Sequence, residues 1–448
     1  MSSHVTTSAI FRDFYSTSEM SAIFDDQHLV QCWLDVEAAL ARAQAKLGVI
    51  PAEAAEEITC CANAANIDMT SLQESTNLVG YPIVSVVRQL ATQCSAETGR
   101  YIHWGATTQD IMDSGTVLQL RSVMNILDRD LGQLITLLST IASEHRTTPM
   151  AGRTHGQHAL PITFGYKVAV WIDELARHQE RFSQSRPRLL RSQFSGAVGT
   201  LASLGEAGWE VHTKLSEELG LAPSAISWHT ARDSFGEFVS LCGLLTATLG
   251  KMAHEIATLQ RNEVAEAAEP FEAGKGSSST MPQKRNPILC EAMIGIAQVV
   301  AQHVPTMLTA MKPEHERAMG EWHAEWDVIP HVCQLTGAAL AHGLRLFDGL
   351  IINQAQMARN LDLTNGQIVS EAVMMSLGSH LGRQDAHHVV YQACNQAMSE
   401  GRPLYDVLSE DVEIMNILSD EELKALLDPA NYVGLAPFFV DQVLQQNP

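Results

Sequence analysis

Long helical seams constrain the fold of this chain more than any other feature of its sequence. Between residues 120 and 141, apolar residues recur at alternating spacings of four and three, which is typical of a helix face packed against other helices. This seam consists of Leu120, Met124, Leu127, Leu131, Leu134, Leu138 and Ile141. Similar patterns predict further long helices at 162–184, 235–268, 288–312 and 326–351, whereas strand-type alternation is scarce.

The predicted fold class is therefore all-α, with a long central antiparallel helical bundle flanked by smaller N-terminal and C-terminal helical domains. The predicted domains are residues 1–110, 111–353 and 354–448. The breaks between long helices are short and rich in Gly, Ser and Pro, notably at 195–205 and 274–287. Because long helices with apolar seams on more than one face need partners, we expect a homo-oligomer.

Composition limits the classes of partner. The 448 residues carry a formal net charge of -22, which argues against nucleic acid and anionic membranes, since both require a basic surface. The eight cysteines include no C-x-x-C motif, so we expect reduced thiols in a cytoplasmic protein. The N-terminus lacks a basic start followed by an apolar stretch, and no run of eighteen apolar residues occurs, so we expect neither secretion nor a membrane span.

The loop at 274–287 carries the residues best suited to catalysis. It reads Gly-Lys-Gly-Ser-Ser-Ser-Thr-Met-Pro-Gln-Lys-Arg-Asn-Pro. Removing a proton from the carbon beside a carboxylate builds up a dianion, which Lys284 and Asn286 can stabilise as hydrogen-bond donors. Gly274 and Gly276 would let the loop open for a substrate and close over it. The alternative is a plain Ser/Gly linker followed by a helix that starts at a proline.

This loop resembles the signature loop of the fumarase/aspartase superfamily, which closes over a dicarboxylate substrate. The resemblance implies that Ser278 is the catalytic base, with its alkoxide stabilised by backbone N–H groups and Lys284. Where the family usually has glycine this chain has Ser277, and the glycine stands one residue earlier. Either Ser278 or Ser279 is therefore the serine that faces the substrate.

A second segment, 152–158, resembles the Thr-His segment that lines the superfamily site opposite the loop. It contributes Thr154 as a substrate-binding residue and His155 as an acid that protonates the leaving atom. Glu291, one turn into the helix after the loop, would hold the imidazole. A histidine of this kind taken alone is more often a capping or packing residue. A metal site at His155 and His158 is not favoured, because no third ligand stands at a suitable spacing.

A third segment, 107–110, is similar to the family's first signature, in which hydroxyls and an amide at a helix start bind a substrate carboxylate. The alternative there is a simple helix cap. By resemblance, further residues lie near the same substrate, although surface or intersubunit ion pairs explain the two arginines equally well. The substrate-binding residues predicted in this way are Thr107, Thr108, Gln109, Thr76, Asn77, Arg232 and Arg317.

Four longer segments, 105–115, 186–190, 313–326 and 359–364, resemble the 3-carboxy-cis,cis-muconate cycloisomerase branch of the superfamily. The adenylosuccinate lyase branch fits less well, because Phe14-Tyr15 stands where that branch has an Arg-Tyr pair for a phosphate. The resemblance implies a lyase or cycloisomerase without cofactor or metal, in aromatic catabolism, acting on a dicarboxylate or tricarboxylate. It also implies a homotetramer with shared active sites.

Two alternatives remain open from the sequence. His155 and Glu291 suit elimination of fumarate from a substituted succinate, as in a C–N lyase of the adenylosuccinate or argininosuccinate lyase type. An inactive structural protein with the same fold is the alternative of another class.

Overall fold

A computed structural model of the chain describes residues 4–272, 274, 276, 277, 279–317 and 319–446. Their regular structure is mostly helical, which confirms the all-α class. The α-helices are α1 (Arg12–Tyr15), α2 (Ser18–Ile23), α3 (Asp26–Lys46), α4 (Ala52–Cys61), α5 (Met69–Val79), α6 (Ile83–Gln93), α7 (Thr108–Glu144), α8 (Phe164–Leu189), α9 (Ala207–Leu219), α10 (Asp233–Leu259), α11 (Ile288–Ala310), α12 (Glu321–Asp348), α13 (Gln354–Leu361), α14 (Ser370–Leu381), α15 (Arg383–Glu400), α16 (Leu404–Ser409), α17 (Val412–Ile417), α18 (Asp420–Leu426) and α19 (Ala436–Gln446). Short strands form two antiparallel pairs, β1 (Pro149–Thr154) with β2 (Gln157–Thr163) and β3 (Ala267–Ala268) with β4 (Ile351–Ile352).

The five longest predicted helices are present as α7, α8, α10, α11 and α12. Every residue of the 120–141 seam is at most 7% exposed, as expected for a helix face packed against neighbours. The prediction for α10 was too long at its C-terminal end, because the chain leaves the helix after Leu259 and Ala267–Ala268 form strand β3.

The β1–β2 hairpin was not predicted. His155 and Gly156 form its two-residue turn, with φ of 53° and 77°, between the paired residues Thr154 and Gln157. Positive φ at both central positions is the requirement of a type I′ hairpin turn. The sequence signal was weak because His-Gly is not one of the usual turn pairs and a bulge between Ala151 and Arg153 interrupts the alternation. His155 therefore lies at a hairpin tip.

The chain forms two compact units, each assembled from several segments. Among the described residues, unit 1 contains those within 1–131, 178–250 and 292–342, and unit 2 contains those within 132–177, 251–291 and 343–448. In unit 1, α3 is buried along most of its length, for example at Leu34 and Val36. In unit 2, helices α14 to α18 pack around a core that includes Val373, Leu377 and Leu404. The three-domain division along the chain stays a prediction.

By length and composition alone, helix α11 is long and apolar enough to cross a membrane. In its 18-residue apolar stretch, 33% is buried inside the protein. Helices that pack in the cores of water-soluble proteins meet the same criterion.

Three imidazoles cluster in unit 1. The ring of His331 makes edge-on contacts with His4 and His303, at centroid distances of 4.1 and 4.7 Å. Burial, together with the charges of His4 and His303, lowers the pKa of His331 to about 4, although Asp327 acts in the opposite direction. The folded protein therefore resists protonation of His331 more than the unfolded chain does.

We expect this histidine to reduce stability in acid. Because the folded pKa is lower than 6.5, the contribution of neutral His331 is complete above pH 6.5 and is lost as the pH falls toward about 4. In His331→Phe the unfolding temperature should depend less on pH within that window than in the wild type. Calorimetry between pH 4 and 7 checks this, with the exposed His387→Gln as control. Equal pH slopes for wild type and His331→Phe would contradict it.

Candidate active site

An ion pair positions the tip of the β1–β2 hairpin in unit 2. Arg153 donates two hydrogen bonds to the fully buried carboxylate of Glu266, at 2.9 and 2.7 Å. Asn360 donates a further one to the same carboxylate, at 2.7 Å. Such two-point pairs fix direction as well as distance. The next two residues, Thr154 and His155, are exposed at the tip of the hairpin. The ion pair therefore holds their backbone in place.

The signature loop closes on itself through Gly276. Its carbonyl accepts a hydrogen bond from the backbone N–H of Asn286 at 3.0 Å, and Ser277 pairs with Arg285 as an antiparallel bridge. Gly276 has a φ of 66°, and an added Cβ would lie 2.5 Å from the carbonyl oxygen of Asn286. Only glycine fits there. The glycine that stands one residue early in the sequence is therefore required by this loop closure.

The C-terminal end of the loop is tied to the start of α11. The carboxylate of Glu269 accepts hydrogen bonds from the backbone N–H groups of Leu289 and Cys290, at 3.2 and 2.7 Å. These groups lack partners within the helix, so the carboxylate caps it. Gln260 connects Glu269 to the signature loop. Its side chain accepts a hydrogen bond from the backbone N–H of Glu269 at 3.0 Å and donates one to the carbonyl of Arg285 at 3.2 Å.

Several polar side chains in unit 2 are left without partners. Among the described residues, the side chains of Lys284, Asn286, His155 and Glu291 make no hydrogen bond or ion pair, and all but the half-buried Asn286 are exposed. The hydroxyl of Ser279 lies 3.5 Å from that of Thr280. Ser278, the predicted base, lies outside the described residues. The predicted contact between His155 and Glu291 is absent from the described part of this single chain and stays a prediction.

In unit 1 a buried aspartate fixes the turn that precedes α7. The carboxylate of Asp110 accepts hydrogen bonds from the backbone N–H groups of Thr107, Ser195 and Gly196, each at 3.0 Å, and bonds His229 Nε2 at 2.8 Å. Sequence reasoning named the hydroxyls of this segment but gave Asp110 no role. The Thr-x-x-Asp spacing of a capping box was the available signal.

Arg317 lies against the same turn. Its Nη2 donates to Thr107 Oγ1 at 3.1 Å and to the carbonyl of Ala197 at 3.0 Å. Its Nε is buried and has no partner among the described residues. A guanidinium beside the start of a long helix at Thr108 favours an anion such as a carboxylate. The substrate-binding role of Thr107, Thr108 and Arg317 stays a prediction.

Gln109 and Arg232 are placed differently from the prediction. Gln109 is 1% exposed, and its amide donates to Asp113 and to the carbonyl of His229, at 3.1 and 2.9 Å. Arg232 is 3% exposed and its guanidinium donates to the carboxylates of Asp113 and Glu325. Because the donors of both side chains are used inside unit 1, we revise their role from substrate binding to support of the site. Arg232 does form ion pairs, but they are buried within unit 1 and are not the surface or intersubunit pairs considered as the alternative.

Thr76 and Asn77 lie near the end of α5 and line a cavity of about 580 Å³. The hydroxyl of Thr76 donates to the carbonyl of Leu72 at 2.8 Å, which leaves its oxygen as an acceptor. Asn77 is exposed and retains its amide donors. Asn77 therefore fits the predicted role in carboxylate binding better than Thr76 does, and the role of both stays a prediction.

Metal ligation has no geometric support within the described ranges, where no three His, Cys, Asp or Glu side chains are grouped to hold an ion. His158 pairs with Arg153 across the hairpin. The pKa of this histidine is lowered mainly by burial and further by the charge of Arg153. The residues that the sequence did not reveal are the supporting acids and amide, Glu266, Glu269, Gln260 and Asp113.

Comparison with known proteins places this architecture in a family. Residues 13–301 match the family model described as lyase, and residues 366–443 match the model described as adenylosuccinate lyase C-terminus. The crystal structure of 3-carboxy-cis,cis-muconate lactonizing enzyme from Pseudomonas putida is 40% identical with a TM-score of 0.94, covering 98% of this chain and 99% of that one.

Two further relatives carry different activities in their names. Trans-aconitate decarboxylase 1 of Mycosarcoma maydis is 44% identical over 434 residues, covering 97% of this chain and 88% of that protein. N-acetyl-S-(2-succino)cysteine lyase of Enterococcus italicus is 41% identical over 444 residues, covering 99% of this chain and 97% of that protein. These matches do not favour the inactive structural alternative. The chain belongs to the lyase family of the fumarase/aspartase superfamily and is a lyase-type enzyme.

Proposed function

We propose that this enzyme forms or breaks a bond at the carbon beta to a carboxylate, without a cofactor, through an aci-carboxylate intermediate. The substrate class favoured by resemblance is that of 3-carboxy-cis,cis-muconate cycloisomerase. The observation that carries the proposal is the set of polar side chains in unit 2, Lys284, Asn286 and His155, which are presented by anchored backbone yet lack internal partners. Unpaired donors held in place are what a developing anion requires.

The roles follow from the chemistry. Ser278, or Ser279 in its place, removes the proton alpha to the carboxylate, and the resulting dianion is stabilised by Lys284 and Asn286. His155, oriented by Glu291, protonates the departing atom in the elimination direction. In the cycloisomerase reaction a carboxylate oxygen of the same molecule adds across a double bond, and the reverse step eliminates the lactone oxygen.

Substrate carboxylates are bound by the residues around the start of α7. Thr107, Thr108 and Arg317 provide hydroxyls, a guanidinium and the positive end of the helix dipole. Asp110 keeps the turn in position but does not touch the substrate in this scheme.

The second candidate is elimination of fumarate from an N- or S-substituted succinate. The presence of both His155 and Glu291 favours it, because a departing nitrogen or sulfur requires an acid. The succinocysteine lyase relative supports the same chemistry, since its name describes a succinate that carries a sulfur substituent.

We further propose that the enzyme is a cytoplasmic homotetramer with active sites shared between subunits. Members of the superfamily are typically oligomeric. Apolar side chains on α10 and α11 support an interface, since Leu244, Val299 and Leu308 are 50%, 43% and 47% exposed in the single chain. A second subunit would also supply the partner that His155 and Glu291 lack.

A substrate panel tests the function. The purified protein is incubated with 3-carboxymuconate, adenylosuccinate, argininosuccinate, thioether-substituted succinates and trans-aconitate, and ultraviolet absorbance is followed. Consumption of carboxymuconate without fumarate supports the cycloisomerase, whereas fumarate release supports the second candidate. Release of carbon dioxide from trans-aconitate, or no reaction with any compound, would overturn the proposal.

A further inference from the structure

The ends of α4 and α6 meet in unit 1 and bring two thiols together. Cys61 is the last residue of α4, and Cys94 directly follows the last residue of α6. Cys61 Sγ donates a hydrogen bond to the carbonyl of Gln93 at 3.3 Å, next to Cys94 in the chain. The thiol of Cys94 is itself hydrogen-bonded to Cys61. The two thiols are therefore in contact, although α5 and α6 separate them in the sequence.

Hydrogen bonds hold these two helix ends against each other. The carboxylate of Glu57, one turn before Cys61 on α4, accepts from the backbone N–H and the hydroxyl of Ser95, at 2.6 and 2.9 Å. It also accepts from the hydroxyl of Thr98. Two cysteines can be bridged only where the backbone already places their sulfurs within reach. The contact between Cys61 and Cys94 meets that requirement on a backbone that Glu57 ties together.

Most of the other cysteines are shielded from chemistry. Four of them are buried, and burial raises the pKa of each thiol, which disfavours the reactive thiolate. These four are Cys32, Cys242, Cys290 and Cys333. Cys60 is exposed, but it lines a groove with Arg42 and Lys46 of α3, and no second cysteine occurs among the described residues of that groove.

The two thiols of the pair differ in reactivity. Burial, followed by the neighbouring Cys61, raises the pKa of Cys94 to about 12, and Glu57 adds to this rise. A thiol with so high a pKa is a slow nucleophile near neutral pH, so the first step belongs to Cys61. Because Cys61 is one cause of the raised pKa, its conversion to a mixed disulfide removes that part of the rise. Cys94 then becomes the better resolving thiol.

We propose that Cys61 and Cys94 form a reversible disulfide, with a low-molecular-weight disulfide as the oxidant. The Cys61 thiolate attacks one sulfur of the oxidant, whose S–S bond breaks, and the departing thiolate takes up the proton that Cys61 gave up. Cys94 then loses its proton to water and attacks Cys61 Sγ, which releases the second small thiolate, and this takes up a proton from water. Two protein thiols are oxidised, and the oxidant is reduced to two thiols.

The bridge closes the segment between the two cysteines into a loop. That segment contains α5 and α6 and carries Thr76 and Asn77 of the predicted carboxylate site. A cross-link between its ends reduces the conformational freedom of the unfolded chain and so favours the folded form. We therefore expect oxidation to protect this segment from unfolding. The proposal does not depend on which reaction the enzyme catalyses.

Oxidised glutathione tests the pairing on the whole chain at about pH 8, close to the ordinary pKa of a thiol. After the remaining thiols are blocked, digestion and mass spectrometry should show two peptides linked through Cys61 and Cys94, which dithiothreitol separates. Cys94→Ser should retain glutathione on Cys61 without a link. In Cys61→Ser, glutathione should attach to Cys94 at least about tenfold more slowly.

Cys60→Ser is the matched control, because it removes the adjacent exposed thiol and should leave the link unchanged. Limited proteolysis then compares oxidised and reduced wild type. Cleavage within 62–93 should be about threefold or more slower in the oxidised protein, with no such difference in Cys94→Ser. Absence of a link in the wild type, a link through Cys60, or glutathione that stays on wild-type Cys61 would overturn the disulfide. Equal cleavage of the oxidised and reduced wild type would overturn the protection of the segment.

Discussion

Replacing Ser278 by alanine is expected to lower kcat by about 10²-fold to 10⁴-fold, the range that a general base contributes. Ser278 is not among the residues that the structure describes. Its role as the base is what the resemblance of the signature loop implies. Alanine removes the oxygen that accepts the proton while the donors Lys284 and Asn286 remain. Substrate binding should change little, so kcat falls with KM nearly constant. Steady-state kinetics on the substrate identified in the panel measure this.

Ser279→Ala is the matched control, since it removes the same atom one residue along the loop. A loss below about tenfold is expected there, as for a group that binds without transferring the proton. A larger loss in Ser279→Ala than in Ser278→Ala would exchange the two roles. Near wild-type turnover in both variants would disprove a serine base, provided circular dichroism shows unchanged helix content.

Mixed oligomers extend this test to the proposed sharing of sites. Ser278→Ala and His155→Gln subunits, each inactive alone, are denatured together and refolded. If one site draws these residues from different subunits, some sites in the mixture contain both intact side chains and activity returns. No recovery at any mixing ratio would argue that both residues act within one subunit.

The long helices were predictable because burial of one helix face requires apolar residues at a regular spacing, which can be read from the sequence. The 120–141 seam is such a pattern, and α7 contains all of it. The hairpin that carries His155 has no comparable sequence pattern, because its strands are short and its turn contains a histidine at a φ of 53°. Local conformation at a functional residue is often unusual in this way, because surrounding contacts such as the Arg153–Glu266 pair enforce it.

The site was predictable only in part, and the division has a physical cause. The residues proposed to act chemically belong to short contiguous motifs, so Lys284, Asn286 and Thr107 could be identified from the sequence. Residues that hold them come from distant parts of the chain, as Glu269 does for the start of α11. A single sequence cannot reveal that Arg232 meets Glu325 across 93 positions. Support of this kind depends on the completed fold.

Arg232→Ala is expected to cost about 3–5 kcal/mol of folding stability, the effect of breaking a buried ion pair by removing one partner. The guanidinium is 3% exposed and joins the carboxylates of Asp113 and Glu325, while the rings of Trp228 and Phe235 lie 5.0 and 4.8 Å from it. Without it, two buried carboxylates face each other unpaired. Chemical denaturation at pH 7 measures the loss as a lower midpoint.

A lower pH should reduce the difference in folding stability between Arg232→Ala and the wild type. Burial already raises the pKa of Glu325 in the intact cluster, and removal of the cation raises it further, so the folded variant takes up protons before the unfolded chain does. Stability of Arg232→Ala relative to the wild type should therefore improve as the pH falls from 7 toward 5. Arg188→Ala is the control, because Arg188 forms an equally two-pronged pair with Glu237 in solvent and should change stability little. Equal losses of folding stability in Arg232→Ala and Arg188→Ala would contradict the expectation that a buried ion pair is costlier to break than an exposed one.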